Sequence, residues 1–429
     1  VVLTAAWVAL CALAGWLLRR RPIVIVAVAI VIWSLVPAVA AYRFTGLTVR
    51  SPIGFHPATW FALVALAIQL LTRPQALGRA VARHPFVGVA LGMFVVGAAL
   101  TSVLSDTGGS RLLADQIVVP AALALLVVAH ADAAGQLLLR NVLLGVAVAQ
   151  SLLVFAQAAV GSILLYADDY ATNYWFKPEK FTRWMGTTDS PLVLTVLLGV
   201  AAALALGVRS IVLRFGMLLM FGAAILITQS RVGGLVMGVI LVLAIFRTRL
   251  SLIARVLTTG ILGIAVYVVG TSPLAGGLLN RLQDDTGSST ARELAINYVF
   301  NNLSHYLFSG GGLTSSYEVA RLAGLQTSIE SSMLMYAIDV GVIIAVVYFG
   351  AQLIVMVRYG PDGWIPGVTL AGYVALVLVN ASSALAFANL TGSLTWVVLA
   401  LVMAGAAPSA AAQAVGAPAS ARALASVAS

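Results

Sequence analysis

Three charged side chains stand where an otherwise apolar chain has least reason to carry charge. Arg292 follows Thr290, and Thr290 with Glu293 three residues on has the spacing of a capping box, so the sequence predicts a helix from about Ala291 with Arg292 in its first turn. A guanidinium beside the free N–H groups and positive dipole end of a helix can hold a phosphate. An arginine snorkelling from a surface helix fits the same residue. Arg231 closes the tight connection Thr228, Gln229, Ser230, Arg231 between two apolar stretches, near membrane depth, where a cation needs a partner or a purpose. Glu330 stands at the mouth of an apolar stretch that begins near Met333. If partial burial lifts its pKa above the ordinary value of about 4.3, it can take the proton of an attacking hydroxyl. Its alternative is an ion pair with Arg292 or Arg321.

Further polar residues accompany these three. The segment from Tyr166 to Pro191 concentrates Tyr170, Tyr174, Trp175, Phe176 and Trp184 with Lys177, Lys180 and Arg183. Aromatic faces stack on sugar rings and cations hold phosphate, although the same mixture describes an interfacial belt. After Arg292 an apolar stripe at Ile296, Phe300, Leu303 and Leu307 predicts an amphipathic helix lying on the membrane surface and ending at Ser309, Gly310, Gly311, Gly312. Gly311 and Gly312 would let a ligand approach the backbone closely. Arg321 joins Arg183, Lys177, Lys180, Trp184, Gly311 and Gly312 as a candidate substrate-binding residue. Asp339 lies nine residues beyond Glu330, on the opposite helix face, and is expected to be a buried helix-packing hydrogen bonder, with a proton relay as the alternative. Asp115, Asn380 and Asn389 receive the same packing role. His56, His84, His130 and His305 show no metal-ligand spacing, and His305 is expected at the surface. The single cysteine, Cys11, allows no intrachain disulfide and no cysteine metal site; no metal or cofactor is expected.

The elements that must position these residues are apolar helices. With 61% hydrophobic and 9% charged residues and a mean hydropathy of +1.05, the sequence reads as an all-α polytopic membrane protein. Stretches near 1–18, 22–41, 57–72, 85–104, 112–130, 141–164, 191–207, 211–228, 232–246, 256–271, 333–357, 368–387 and 393–406 predict about twelve to fourteen transmembrane helices. They form one integral membrane domain, 1–406; the Ala-, Ser-, Pro- and Gly-rich remainder, 407–429, is expected to be a disordered cytoplasmic tail. The formal charge of +10 comes from arginines clustered in alternate short loops, which fits membrane orientation and not nucleic-acid binding. Those loops are cytoplasmic, so 165–190 and 272–332 are extracytoplasmic loops, the larger carrying amphipathic helices. Nucleotide sugars and ATP stay in the cytoplasm. An enzyme working outside therefore needs a donor already carried across on a lipid.

Three local patterns occur in order: TQSRVGGLVMGVILVL, where an arginine opens a span; SSTARELAINYVF followed by LFSGGGL, where an arginine-led helix runs into a glycine turn; and SIESSMLMYAIDVG, where a polar residue precedes an acid-x-Gly span. In these the chain resembles the O-antigen ligase and O-antigen polymerase superfamily, over roughly Phe215 to Gly341, with the many-span layout fitting the remainder. The resemblance implies a membrane glycosyltransferase that takes a glycan from a polyprenyl-diphosphate carrier in a bacterial cytoplasmic membrane and passes it to an acceptor hydroxyl on the extracytoplasmic face, a glycan or other cell-surface acceptor. It implies that Arg231 and Arg292 clasp the donor diphosphate. Ligases of this family carry a catalytic histidine where this chain has Glu330, a departure that looks more like the polymerases. The chemistry is sound on its own terms: two arginines stabilise the leaving diphosphate, replacing a metal ion, and direct attack inverts the anomeric centre.

A polymerase would differ from a ligase only in its acceptor, the growing chain itself. From another class, a lipid-linked oligosaccharide flippase should line its membrane interior with charge, which is scarce here. A non-catalytic scaffold would tolerate replacement of all three charged residues, and no Ser/His/Asp order supports a hydrolase.

Overall fold

The computed structural model describes residues 2–48, 51–105, 109–173, 176, 182–247, 259–260, 263–264, 286–324 and 329–405, with the side chains of 247 and 286–292 left aside. Every regular element among them is helical. In chain order, leaving aside pieces of three or four residues, these are α1 (Val2–Leu17), α2 (Pro22–Leu35), α3 (Pro57–Thr72), α4 (Pro74–Arg83), α5 (Pro85–Leu104), α6 (Ser110–His130), α7 (Ala133–Val160), α8 (Pro191–Ala205), α9 (Ile211–Ile227), α10 (Arg231–Arg247), α11 (Thr286–Asn301), α12 (Ser315–Leu322), α13 (Ser332–Val340), α14 (Val342–Tyr359), α15 (Val368–Asn380) and α16 (Thr391–Gly405). Proline opens α2, α3, α4, α5 and α8, where its missing N–H removes no helix bond.

This is a multi-pass helical membrane protein. Four helical stretches, α5, α6, α7 and Val342–Asp362, are long and apolar enough to cross a membrane; two bent pairs, α2 with Ala38–Thr45 (90°) and α3 with α4 (100°), raise the number to six. Six more apolar helices, α1, α8, α9, α10, α15 and α16, are shorter, at 10–17 residues. The expected twelve to fourteen spans are thus matched by length for four to six. The expected span 256–271 and the tail 407–429 lie outside the described residues.

Two of the shorter apolar helices occupy the centre. In α8 every residue except Leu192 is buried, and α16 is buried from Thr391 to Met403. Both are apolar all round, as a helix surrounded by others must be. α8 packs on α7, α9, α10, α15 and α16, while α16 also packs on α6 and α14. Their ends meet irregular backbone inside the protein, where buried polar side chains supply the missing hydrogen bonds. At the break after α2, Gln150 Nε2 and Thr187 Oγ1 donate to the Ser34 carbonyl (2.6 and 2.7 Å), and His56 Nε2 donates to that of Val36 (2.8 Å). Burial pushes the His56 imidazole down to about 3, so it stays neutral, its Nδ1 accepting from the Ala58 N–H that opens α3. Gln116 closes a similar gap, donating to the carbonyls of Phe387 and Asn389 and accepting from Gly392. Asp115 and Asn389 hold backbone in the same way, Asp115 accepting from His56 N–H and pairing with Arg111.

The expected span 333–357 is two helices. Gly341 has φ +99°, and a side chain there would press on Phe308 and Ser309. Val342 N–H instead donates out of the helix to the Tyr306 carbonyl at 2.8 Å. The segment following α11 therefore wraps the α13–α14 break.

Candidate functional site

Thr228 ends α9 with its hydroxyl on the Ile225 carbonyl (2.7 Å), and Gln229 then takes a left-handed conformation, φ +54°, that costs a non-glycine residue energy. Ser230 Oγ accepts the Gly233 N–H at 3.2 Å, so α10 opens with Arg231 as its first residue. Arg183 reaches this turn from the preceding polar segment, its Nε donating to the Thr228 carbonyl at 3.0 Å. Gln229 Nε2 donates back to the Thr182 carbonyl at 3.2 Å. Two segments that the sequence places on one side are thus fastened together.

Glu330 arrives from the far end of the chain. Ile329 before it is fully buried, and Ser331 after it caps α13. Ser332 N–H and Oγ both donate to the Ser382 carbonyl, at 2.9 and 2.8 Å, while Ser332 Oγ accepts from Leu385 N–H at 3.1 Å. The start of α13 is clamped to the turn after α15. As a result Arg183, Arg231 and Glu330 line one open cleft of about 80 Å³, with Thr195 of α8, the Gln229–Ser230 turn and Ser382 completing its polar wall. Two guanidiniums and the N-terminus of α10 suit an anion. A carboxylate beside them suits a proton transfer.

Arg292 is placed by its backbone alone, its side chain lying outside the described residues. α11 begins at Thr286 and not near Ala291, so Thr290 is helical and Arg292 falls in the second turn. Thr290 is therefore not at the N-cap position, because the helix start lies five residues earlier than expected, directly after Asp285, a residue type favoured at caps. The first-turn phosphate site expected at Arg292 goes with it. One turn beyond Arg292, Ala295 and Ile296 line a second cleft, of about 250 Å³, which Glu330 also lines.

α11 also ends earlier than expected, at Asn301, where the Asn302 side chain bonds the Tyr298 carbonyl and the chain continues in turns. Its docked face is Ala295 and Val299, packed with Tyr306, Ile329, Met335 and Ile338. The stripe of Ile296, Phe300 and Leu303 faces outward, 42%, 63% and 36% exposed. The small residues pack against the protein and the large ones are left to the surroundings.

Gly311 and Gly312 use their N–H groups on the Ile338 and Asp339 carbonyls (2.9 and 2.8 Å) and line neither cleft. Gly310 lies against the same backbone, leaving no room for a side chain. The glycine run is a seat for α13. Asp339 completes it: the buried carboxylate accepts from Thr314 N–H (3.1 Å), Ser315 Oγ (3.1 Å) and Ser316 N–H (2.7 Å), holding the start of α12. It is the buried hydrogen bonder expected, bonded to a loop and not to another span. Arg321 pairs with Glu318 at 2.5 Å on the surface, and neither lines a cleft. Trp184 packs on the main core, half-buried. Lys177 and Lys180 lie outside the described residues. His305 is exposed, as expected.

Thr195, Ser382 and Asn380 escaped sequence reasoning as site residues, since small polar residues inside apolar helices serve packing more often than ligands. Their one signal is position: Asn380 and Ser382 flank the end of an apolar span beside other small polar residues. Among the described residues no three His, Cys, Asp or Glu side chains group to hold a metal ion. Compared with known protein-family models and with curated proteins, the chain matches none.

Proposed function

We propose that this protein is a membrane glycosyltransferase that moves a glycan from a polyprenyl-diphosphate carrier to an acceptor hydroxyl on the extracytoplasmic side. The observation that carries this reading is the convergence of Arg183, Arg231 and Glu330 on one cleft, from three segments far apart in sequence. Two guanidiniums at the rim of the apolar bundle match a diphosphate whose lipid tail stays in the bilayer. As the bond from the anomeric carbon to the phosphate oxygen breaks, the electron pair passes to the diphosphate, whose growing charge the arginines stabilise. The acceptor oxygen bonds that carbon from the opposite face, and its proton goes to the Glu330 carboxylate.

Arg292, whose side chain lies outside the described residues, carries no part of this reading. The outward stripe of Ile296, Phe300 and Leu303 would rest on lipid, and the six shorter apolar helices, added to the six that pass by length, would give twelve spans. The end that holds the cleft lies opposite the connections rich in arginine, which supports placing it outside the cytoplasm. Ligase and polymerase use this chemistry alike and differ in the acceptor.

The test is to remove the gene from its host, restore it as wild type, Arg231→Gln or Glu330→Gln, and size the carrier-linked glycans by mass spectrometry. Long chains left on the carrier indicate a ligase, and single repeat units on the outer face a polymerase. Units trapped on the inner face, or both variants restoring the wild-type profile, would overturn the proposal.

A further inference from the structure

We infer that Gln229 positions both guanidiniums of the first cleft and so sets its preference for a diphosphate over a monophosphate. This deepens the transferase reading and rests on it. Three non-glycine residues among those described have positive φ, Tyr166, Gln229 and Thr314, and of these only Gln229 lines the cleft of Arg183 and Arg231. At φ +54° a glycine would sit without strain, and a glutamine costs energy. Such strain has a use where the side chain does something that glycine cannot. The backbone of the turn serves Arg231: α9 ends before Thr228, the chain turns at Gln229, and Arg231 opens α10, with Gly233 seated against Thr195 of α8.

The side chain serves Arg183. Gln229 Nε2 donates to the Thr182 carbonyl at 3.2 Å and stands 3.4 Å from Thr182 Oγ1, while Arg183 Nε donates to the Thr228 carbonyl at 3.0 Å. These bonds are reciprocal: two adjacent residues of one segment hold two adjacent residues of the other. Thr228 is in turn fixed to the buried core, its Oγ1 lying 2.9 Å from Thr195 Oγ1 of α8. Arg231 therefore starts from a helix seated on that core, whereas Arg183 comes from irregular chain before α8 and is carried to the same rim by the tie at Gln229. A diphosphate offers a phosphoryl group to each of two guanidiniums held at one spacing, and such charge-assisted pairs depend on geometry. A monophosphate offers one group and gains little from the spacing. Loosening the tie should penalise the diphosphate and spare the monophosphate. Gln229 acts through the two arginines, as a positioning residue that determines specificity.

The experiment uses the full chain in lipid nanodiscs and compares the affinities of farnesyl diphosphate and farnesyl monophosphate. The unaltered protein should prefer the diphosphate by ~10-fold or more, the scale of one hydrogen bond between charged groups. Gln229→Gly suits the backbone and drops the tie; it should weaken the diphosphate by ~10-fold and leave the monophosphate unchanged. Gln229→Asn tolerates the same backbone but falls one methylene short of Thr182, and should do the same. Both ligands are measured on one sample, so partial unfolding of a variant removes sites for both and leaves the ratio of their Kd values as it was. A ratio unchanged in either variant, affinities for the two ligands falling together, or an unaltered protein that does not distinguish them would overturn the role of Gln229. Farnesyl diphosphate failing to bind the unaltered protein, or binding regardless of Arg231→Gln, would instead overturn the transferase reading beneath it.

Discussion

At one end of the bundle Arg19, Arg79, Arg140 and Arg214 donate to backbone carbonyls, those of Trp16, Gln75, Gly207 and Val208. At the other, Asp115, Asp189 and Asp339 accept from backbone N–H groups, those of His56, Ala38 and Ser316. The first end is nearly single-signed and exposed. Burial and the neighbouring Arg83 and Arg358 hold its His84 below the usual imidazole range. The second end mixes signs and buries its carboxylates, pairing Arg111 with Asp115 and Arg43 with Asp169, and it holds the cleft of Arg183, Arg231 and Glu330. Exposed charge of one sign orients a chain in a membrane, and little else is asked of its geometry. Buried charge of both signs must be held by specific partners, and such regions can perform chemistry.

The sharpest break between the two ends is functional. Glu330→Gln and Arg231→Gln should each cut glycan transfer by ~10²-fold or more, measured on carrier-linked substrate in detergent, with the melting temperature little changed. Arg79→Gln, at the other end, should leave the rate as it was. Equal losses at both ends would refute the division drawn here.

Next in size is the support beneath the site. Asp339→Ala strips the acceptor from three donors, and thermal unfolding should show a loss of ~2 kcal/mol or more. Glu318→Ala, which removes a surface ion pair, should give no measurable change.

A third test uses pH. Burial pushes the Asp189 carboxyl up to about 7, from an ordinary value of 3.8, against the pull of the Ala38 N–H and Arg111. A raised carboxylate favours the fold while neutral: its contribution is full below about 3.8 and is lost as pH rises through about 7. The melting temperature of the wild type should therefore fall between pH 5 and 8 relative to Asp189→Asn, which stays neutral. A parallel course for the two proteins would show that Asp189 titrates as an exposed group does. The smallest effect is expected from Arg79→Gln with Arg83→Gln, within about 0.5 kcal/mol, because both side chains face outward.

Much of this organisation is legible in the sequence, and the reasons are local. Apolar runs bounded by arginine, proline and glycine mark helices whatever packs on them, so α3, α5 and α9 begin and end within a residue of their expected limits. Arg231 is legible as a helix start because the turn before it has no other way to bring two apolar spans together. α11 was harder to place. Its cap signals lie within five residues of each other, so the sequence does not choose between them. Gly311 and Gly312 signal close approach correctly, but what approaches is the backbone of α13 and not a ligand.

Composition and charge order by themselves determined a multi-pass helical chain with two unlike ends, because apolar length and arginine placement act along the chain. Tertiary structure alone decided that Arg183, Arg231 and Glu330 share a cleft, and that Asp339 holds a loop. Those contacts join residues far apart in sequence, and they exist only once the burial of α8 and α16 has fixed where each helix end must lie.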